Sequence, residues 1–485
     1  MKIKKNIKKN RKEKKRKEKN MARTKKGRGA GSRAGKQRKT SACSVPMIGC
    51  VGGFLILSVS LLLPVYRGGA KDGMLAGRMN SGGSLATTPV DTVEWAPSRP
   101  FSDFLRKQGV PQILRNTAAD LWRARRWTAQ SLMRLSAGKK LPAYQSTVSR
   151  HFGPFFDPSR PLGRLDRVAP RHEYEVVNRS LADIFASEKD AGPPYLYLSR
   201  ELHLVSQRLM KDVEPIQFFI SANPSRTSIN LWMGEANLTA PCHYDGYLNF
   251  FVMLSGSKRF LLAPPSAHDD VAPFPFLHPS HGQCQKDISS HSKTLYEAVL
   301  QPGDLLFVPD SWFHQVTSIT PSLSVNVWVE ERYHGNDIAQ LFSPDLIRHD
   351  DPEGAAVALG TICGRSVPMA TLARVWRVRY EPLISLKELS RDYEMLKRGG
   401  ASSSILANAC MNFQAGQAGA GPTWIRFDRR VASLLGGIPK SLRPTISMNL
   451  IEYLSLVASG GDHELLVPFL GGFHDCAKQH NRHKD

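Results

Sequence analysis

Zinc-ligand spacing is missing from this chain. Its seven cysteines include no Cys-x-x-Cys pair and no Cys/His cluster, which argues against the zinc-bearing modules of chromatin readers. No internal repeat is evident either, which argues against a repeat array. Acidic residues are scarce at the N-terminus: residues 1–40 hold twenty Lys or Arg against Glu13 and Glu18, so eighteen of the twenty-four net positive charges sit there. The basic balance describes a tail, not the rest of the chain. That tail also has almost no apolar side chains to offset ordering entropy, and it reads as disordered. With 485 residues, 41% of them apolar, there is enough chain for one large core and a second small domain.

Charge is absent again over Ser44–Tyr66, 23 residues that include Phe54, Leu55, Ile56, Leu57 and Leu61–Leu63. As a helix this stretch is long enough to cross about 30 Å of hydrocarbon. The strongly positive flank before it, with only Arg67 and Lys71 just after, predicts a cytosolic N-terminus and a luminal catalytic part, in the endoplasmic reticulum or Golgi. A cleaved signal peptide and a buried core helix are the competing readings, and a nuclear protein with a basic tail is the alternative location. The expected organisation is a basic disordered tail (1–43), a transmembrane signal-anchor (44–66), a flexible Gly/Ser/Thr-rich stalk (67–94), a catalytic domain (95–337) and a helical C-terminal region (338–485).

Chemistry concentrates between Leu231 and Pro264. His243 and Asp245 are two apart, and on a strand such residues share a face; Asn249 keeps that parity. An apolar run from Phe250 to Leu254, turn residues Ser255–Gly256–Ser257 and a returning strand from Lys258 predict one β-hairpin that folds Lys258 back toward His243. A His-x-Asp pair alone is most often surface polarity. A second element supplies what is missing: Gly303–Asp304 as a turn, an apolar strand from Leu305 to Val308, Pro309 as a stop, then Trp312 and His314. Two histidines and one carboxylate take one face of an octahedral Fe(II) and leave three positions for a bidentate cosubstrate and dioxygen.

At these residues the chain resembles the JmjC-type, cupin-fold, 2-oxoglutarate-dependent oxygenases. Among them it is most similar to the small protein hydroxylases typified by the asparaginyl hydroxylase factor inhibiting hypoxia-inducible factor. The resemblance runs from about Trp95 to Glu331 and is densest over Leu231–Lys286 and Leu300–Glu330. It implies a mainly β fold with flanking helices, a double-stranded β-helix (cupin/jelly-roll) JmjC core, followed here by the C-terminal helical region. It further implies that His243, Asp245 and His314 bind iron and that Lys258, fifteen residues after His243, grips the far carboxylate of 2-oxoglutarate. Tyr197 matches a tyrosine that bonds the same carboxylate, Asn249 and Asn326 match polar positions around iron and cosubstrate, and Gln283 and Trp328 are candidate substrate contacts. Two positions depart from the pattern. Ala240 stands where a cosubstrate-binding threonine is expected, with Thr239 one place out of register, and Gly282 replaces an arginine near the substrate.

The remaining segments carry plainer expectations. The Pro- and Ser-rich stretch Ala263–Ala298, with His268, His278, His281 and His291, follows no ligand rule and reads as a solvated loop forming a substrate wall. Trp122 and Trp127 read as core, and Cys242 points away from iron by strand parity and reads as packed. Cys242, Cys284, Cys363, Cys410 and Cys476 are an odd five, allowing at most two disulfides and leaving one free thiol. Residues 338–485 show helical spacing suited to dimerisation or substrate docking and no chemistry of their own. The implied function is an Fe(II)/2-oxoglutarate dioxygenase acting on a protein side chain, with nucleic acid not expected as a partner of the catalytic domain. A lysine demethylase, a tRNA-base hydroxylase and an inactive membrane-tethered binding module are the rivals.

Overall fold

The computed structural model of the protein describes residues 86–95, 109–117, 120, 122–152, 174–187, 192–213, 227–278, 280–329, 348, 350–383, 401–415, 422–438 and 440–482. The expected tail, the apolar segment 44–66 and residues 67–85 lie outside them. Among the described residues no single helix is long and apolar enough to cross a membrane. The one bent pair of that composition, Pro352–Arg365 with Met369–Leu383, contributes Leu359, Ile362 and Leu372 to a packed core. The membrane placement expected of this chain therefore has no support in the described fold.

Two sheets make the N-terminal half. In chain order the strands are β1 (Thr88–Pro89), β2 (Thr92–Glu94), β3 (Gln112–Arg115), β4 (Leu141–Ser146), β5 (Glu175–Arg179), β6 (Tyr195–Glu201) and β7 (Thr227–Gly234). They continue with β8 (Thr239–His243), β9 (Leu248–Ser255), β10 (Lys258–Ala263), β11 (Tyr296–Leu300), β12 (Leu305–Val308), β13 (Phe313–Ser318) and β14 (Ser322–Val329). One sheet runs β1-β11-β10-β13-β8 and the other β2-β3-β12-β9-β14-β7-β6-β4-β5. Strands β1 and β2 fall within the expected stalk, so its last residues belong to the folded domain.

The sheets close on a shared interior. Phe251, Met253, Leu306 and Val308 of the larger sheet meet Phe260, Leu262 and Val316 of the smaller one. Because side chains alternate along a strand, Phe250, Val252 and Leu254 of β9 point the other way, into an outer cluster with Trp95, Trp122, Trp127 and Leu132. That double burial is why β9 reads as a continuous apolar run, and it places both tryptophans in the core as their spacing predicted. In β14, Val325 and Val327 likewise join the outer cluster, which turns Ser324, Asn326 and Trp328 inward.

The expected hairpin is not one. Strand β9 pairs with β12 and β14, whereas β10 pairs with β11 and β13, so the chain crosses from one sheet to the other at Ser255–Gly256–Ser257. Gly256 (φ 75°) makes that corner against the Pro321 carbonyl, where a Cβ would stand 2.1 Å from the oxygen. Lys258 thus lies in the smaller sheet and Asn249 in the larger one, and no hairpin joins them.

Beyond β14 the described chain is helical: α1 (Pro352–Arg365), α2 (Met369–Arg374) continued by a π-turn over Val375–Tyr380, α3 (Ala401–Ala415), α4 (Pro422–Gly437), α5 (Arg443–Ala458) and α6 (His463–Arg482). Helix α1 packs on α3, α4 and α5 around Leu359, Leu372, Trp376, Phe427, Leu450 and Phe473. Cys410 of α3 and Cys476 of α6 form a disulfide, a second joins Cys242 to Cys284, and Cys363 is the buried free thiol.

The segment 263–298 corrects a second expectation. His268 and His278 are buried, and Phe274 belongs to the core of the helical region, with Leu277 packed against it. The histidines are neutral packing partners: burial pushes both imidazoles down to about 4, and the His278 ring stacks on Phe274 at 4.7 Å. A loop of that composition reads as solvated only until its partner surface, far along the chain, is in place.

Candidate metal centre

His243 ends β8 and His314 lies in β13, directly opposite in the antiparallel register, while Asp245 follows β8 by two residues. The ring centroids are 4.2 Å apart and His314 Nε2 lies 3.6 Å from Asp245 Oδ2. Ligand atoms of all three residues fall within 4.8 Å of one another, the one such cluster among the described residues. Backbone carbonyls set the tautomers: His243 Nδ1–H donates to Pro241 O (2.7 Å) and His314 Nδ1–H to Trp312 O (2.9 Å). Both Nε2 lone pairs are left for a metal. Burial, reinforced by the neighbouring His243, pushes the His314 imidazole down to about 4, which keeps it neutral and ready to ligate.

The carboxylate is oriented by a chain of donors. Trp232 Nε1–H donates to Asn326 Oδ1 (2.8 Å), Asn326 Nδ2 to Asn249 Oδ1 (3.0 Å) and Asn249 Nδ2 toward Asp245 Oδ2 (3.5 Å). Both asparagines are buried, and each has its carbonyl fixed by one neighbour and its amide spent on the next. They stand in line behind the Asp245 carboxylate, at the polar positions that the resemblance placed around iron and cosubstrate.

Lys258 is 1% exposed, and no residue described here accepts a hydrogen bond from it or pairs with its charge. Its Nζ lies 5.5 Å from the Tyr197 ring centroid and 6.0 Å from that of Phe251, and burial alone pushes its pKa down to about 7. An ammonium enclosed this way calls for an anion. Tyr197 is buried in the same wall, its phenol pushed up chiefly by burial, with Phe152 and Trp232 against its ring. Ala240 faces the barrel core, and the neighbouring Thr239 hydroxyl is spent on Thr317 (3.0 Å), so Thr239 does not stand in for the threonine expected at that position.

Gln283 lies beside His243 through an antiparallel bridge. Gly282, at φ 84°, accepts a hydrogen bond at its carbonyl from Tyr244 N–H, and its backbone conformation is one that the arginine expected there would strain. Trp328 stacks on Tyr247 (5.8 Å, 20°), and its buried Nε1–H has no hydrogen-bond partner. Cys242 does point away from the metal, into a cluster with Leu261 and Phe313, but as half of a disulfide.

Residues 97–335 match the profile of the cupin-like domain. This barrel has the cupin-like fold. Its relatives include the lysine-specific demethylase JMJ31 of Arabidopsis thaliana, 30% identical over 179 residues, covering 33% of this chain and 32% of that protein. Jumonji C domain-containing protein 5 of Drosophila melanogaster is 32% identical over 152 residues, covering 29% and 38%. Human HSPB1-associated protein 1 is 28% identical over 284 residues, covering 51% and 56%. The chain therefore spans from about a third to just over half the length of these relatives, none of which is the asparaginyl hydroxylase. A demethylase among the relatives, with no membrane-length helix among the described residues, overturns the expected single-pass membrane protein with a luminal catalytic domain.

Proposed function

We propose that the cupin-like domain is an Fe(II)/2-oxoglutarate-dependent oxygenase that hydroxylates a protein side chain. The observation that carries this reading is the pairing of a two-histidine, one-carboxylate face with a buried, unanswered ammonium in the same barrel. The donor set suits iron: two imidazoles presenting Nε2 and one carboxylate, a face that leaves the remaining positions open. His243, Asp245 and His314 would hold the metal, Lys258 the distal carboxylate of the ketoacid, and Tyr197 the wall around that carboxylate. When bound, iron, 2-oxoglutarate and dioxygen supply the oxidising power that replaces a C–H hydrogen by hydroxyl.

The chain's own contribution is positional. Asn326 and Asn249 hold Asp245, the Pro241 and Trp312 carbonyls hold the imidazoles, and the apolar barrel around Phe251, Phe260 and Leu262 excludes water from the cosubstrate end. Gln283 and Trp328 flank the open side. Gly282 in place of an arginine favours a substrate other than that of the asparaginyl hydroxylase. Removal of a methyl group from lysine is the second reading, favoured by the lysine-specific demethylase among the relatives.

The test is oxygen-dependent conversion of 2-oxoglutarate to succinate by the purified chain with Fe(II), compared with His314→Ala. Mass spectrometry of proteins trapped by that variant then separates the readings: a gain of one oxygen supports hydroxylation and loss of a methyl group supports demethylation. No turnover by the wild-type chain, with or without trapped protein, would leave a binding module.

A further inference from the structure

Strand β8, which carries the first metal ligand, is an edge strand: in its sheet it pairs with β13 on one side only. An edge bearing a ligand frays unless its free hydrogen-bonding groups are covered. Residues 150–152 cover them at Thr239, and around His243 a short hairpin does so. Cys284 N–H donates to Cys242 O (2.9 Å) and Tyr244 N–H to Gly282 O (2.8 Å), one bond on each side of His243. The Cys242–Cys284 disulfide fastens the same edge.

The hairpin continues away from the metal. Its two arms pair through Phe274 N–H to Gln283 O, Gln285 N–H to Ala272 O and Lys286 N–H to Val271 O, and its tip enters the helical region through Phe274 and Leu277. There it meets a buried ionic cluster. Arg379, fully buried on the π-turn, pairs with Glu452 of α5 and donates to Asn449 Oδ1 (2.9 Å) and His268 Nε2 (3.2 Å). Tyr380 Oη–H donates to Glu452 Oε2 (3.0 Å), and the hairpin's own Leu277 N–H points to the same oxygen (3.4 Å). Gln285 Nε2 closes the link by donating to the Arg379 carbonyl (3.1 Å) and to Pro273 O (3.3 Å).

We propose that the helical region positions the first metal ligand: Arg379 and Glu452 hold the 271–286 hairpin, and the hairpin holds the backbone on both sides of His243. Gln285, Arg379 and Glu452 are positioning residues, well removed in sequence from the ligands they serve. The proposal deepens the metal-site reading and rests on it.

Co(II), a coloured stand-in for Fe(II), tests it without requiring turnover. Visible absorption titrations are run on the wild-type full chain, His243→Ala, Gln285→Leu and Glu452→Gln, with melting temperature and circular dichroism measured alongside. Gln285 is half-buried and its replacement by leucine removes two hydrogen bonds without opening a core cavity, so it folds. Outer supports of a metal ligand are worth about tenfold or more in affinity. Gln285→Leu is therefore expected to weaken Co(II) binding about tenfold and to change the ligand-field band intensities, with the melting temperature little changed. Glu452→Gln is expected to show the same spectral change, and should it fail to fold, Gln285→Leu decides alone. Wild-type affinity and spectrum in Gln285→Leu would overturn the positioning role. Equal Co(II) binding by wild type and His243→Ala would instead overturn the metal-site reading itself.

Discussion

Among the described residues each half of the molecule buries one cation completely, and the two are answered differently. Lys258 in the barrel has aromatic walls and no counter-charge among the described residues, whereas Arg379 in the helical region is enclosed by Glu452, Asn449 and His268. A buried charge that is paired and hydrogen-bonded is structure; one left without a partner is a place for a ligand. On the reading proposed above, the barrel carries the chemistry and the helices carry the frame.

The sharpest way to break that division is at the metal. His314→Ala should abolish metal retention and 2-oxoglutarate turnover, since two remaining monodentate ligands hold an open site poorly. Atomic absorption after gel filtration reads this, and substantial iron in the variant would remove His314 from the site. Next comes the frame: Arg379→Met leaves Glu452 buried and uncompensated, at a cost of about 3–5 kcal/mol of stability. Chemical denaturation should show it, and a loss under about 1 kcal/mol would mean that the cluster contributes little to the frame.

Lys258→Met should separate function from stability. The Michaelis constant for 2-oxoglutarate is expected to rise about a hundredfold, as a charge-assisted contact to a carboxylate is lost. Stability should move the other way. Burial pushes Lys258 from its ordinary 10.5 down to about 7, so between those values the unfolded chain holds the proton more tightly and stability rises with pH; below pH 7 the burial cost is fully present. Without bound anion, Lys258→Met should therefore melt higher than wild type at pH 6, by a margin that shrinks toward pH 10. A wild type that melts as high at pH 6 would indicate a counter-ion already in place.

Smaller effects sharpen the comparison inside the barrel. Asn249→Ala breaks the donor chain behind Asp245 and is expected to weaken metal binding about tenfold with the 2-oxoglutarate constant nearly unchanged. Unaltered metal affinity would assign Asn249 to the cosubstrate instead. Ala240→Thr restores a hydroxyl facing the interior and should tighten 2-oxoglutarate by about fivefold or less. Weaker binding would show that the barrel is packed too closely at that position.

Much of the site was legible because its signals are local. The parity of His243 and Asp245 is written in one short stretch, and the Gly303–Asp304 turn, the apolar strand after it and the emergence of His314 past Pro309 are written in another. The supposed hairpin shows where local signals stop. An apolar run, a Ser-Gly-Ser corner and a second apolar run look alike whether the strands pair with each other or join opposite sheets, because periodicity fixes which face is buried and not which neighbour covers it. The same limit hid the insertion, whose prolines and serines resemble a solvated loop, and it hid the Cys242–Cys284 disulfide, whose geometry depends on the hairpin returning to β8.

By itself the sequence determined the chemical inventory: two histidines and a carboxylate at strand spacing, a lysine fifteen residues on, alternating faces in β14 and a helical C-terminal third. Only the tertiary structure decided how these are held. It put Lys258 and Asn249 in different sheets, turned Asn249 and Asn326 into supports for Asp245, and tied the His243 strand through Gln285 to Arg379 and Glu452. The physical reason is range. Side-chain chemistry and strand alternation are written in neighbouring residues, whereas burial and hydrogen-bond partnership across 70 to 210 positions exist only once the chain has closed on itself.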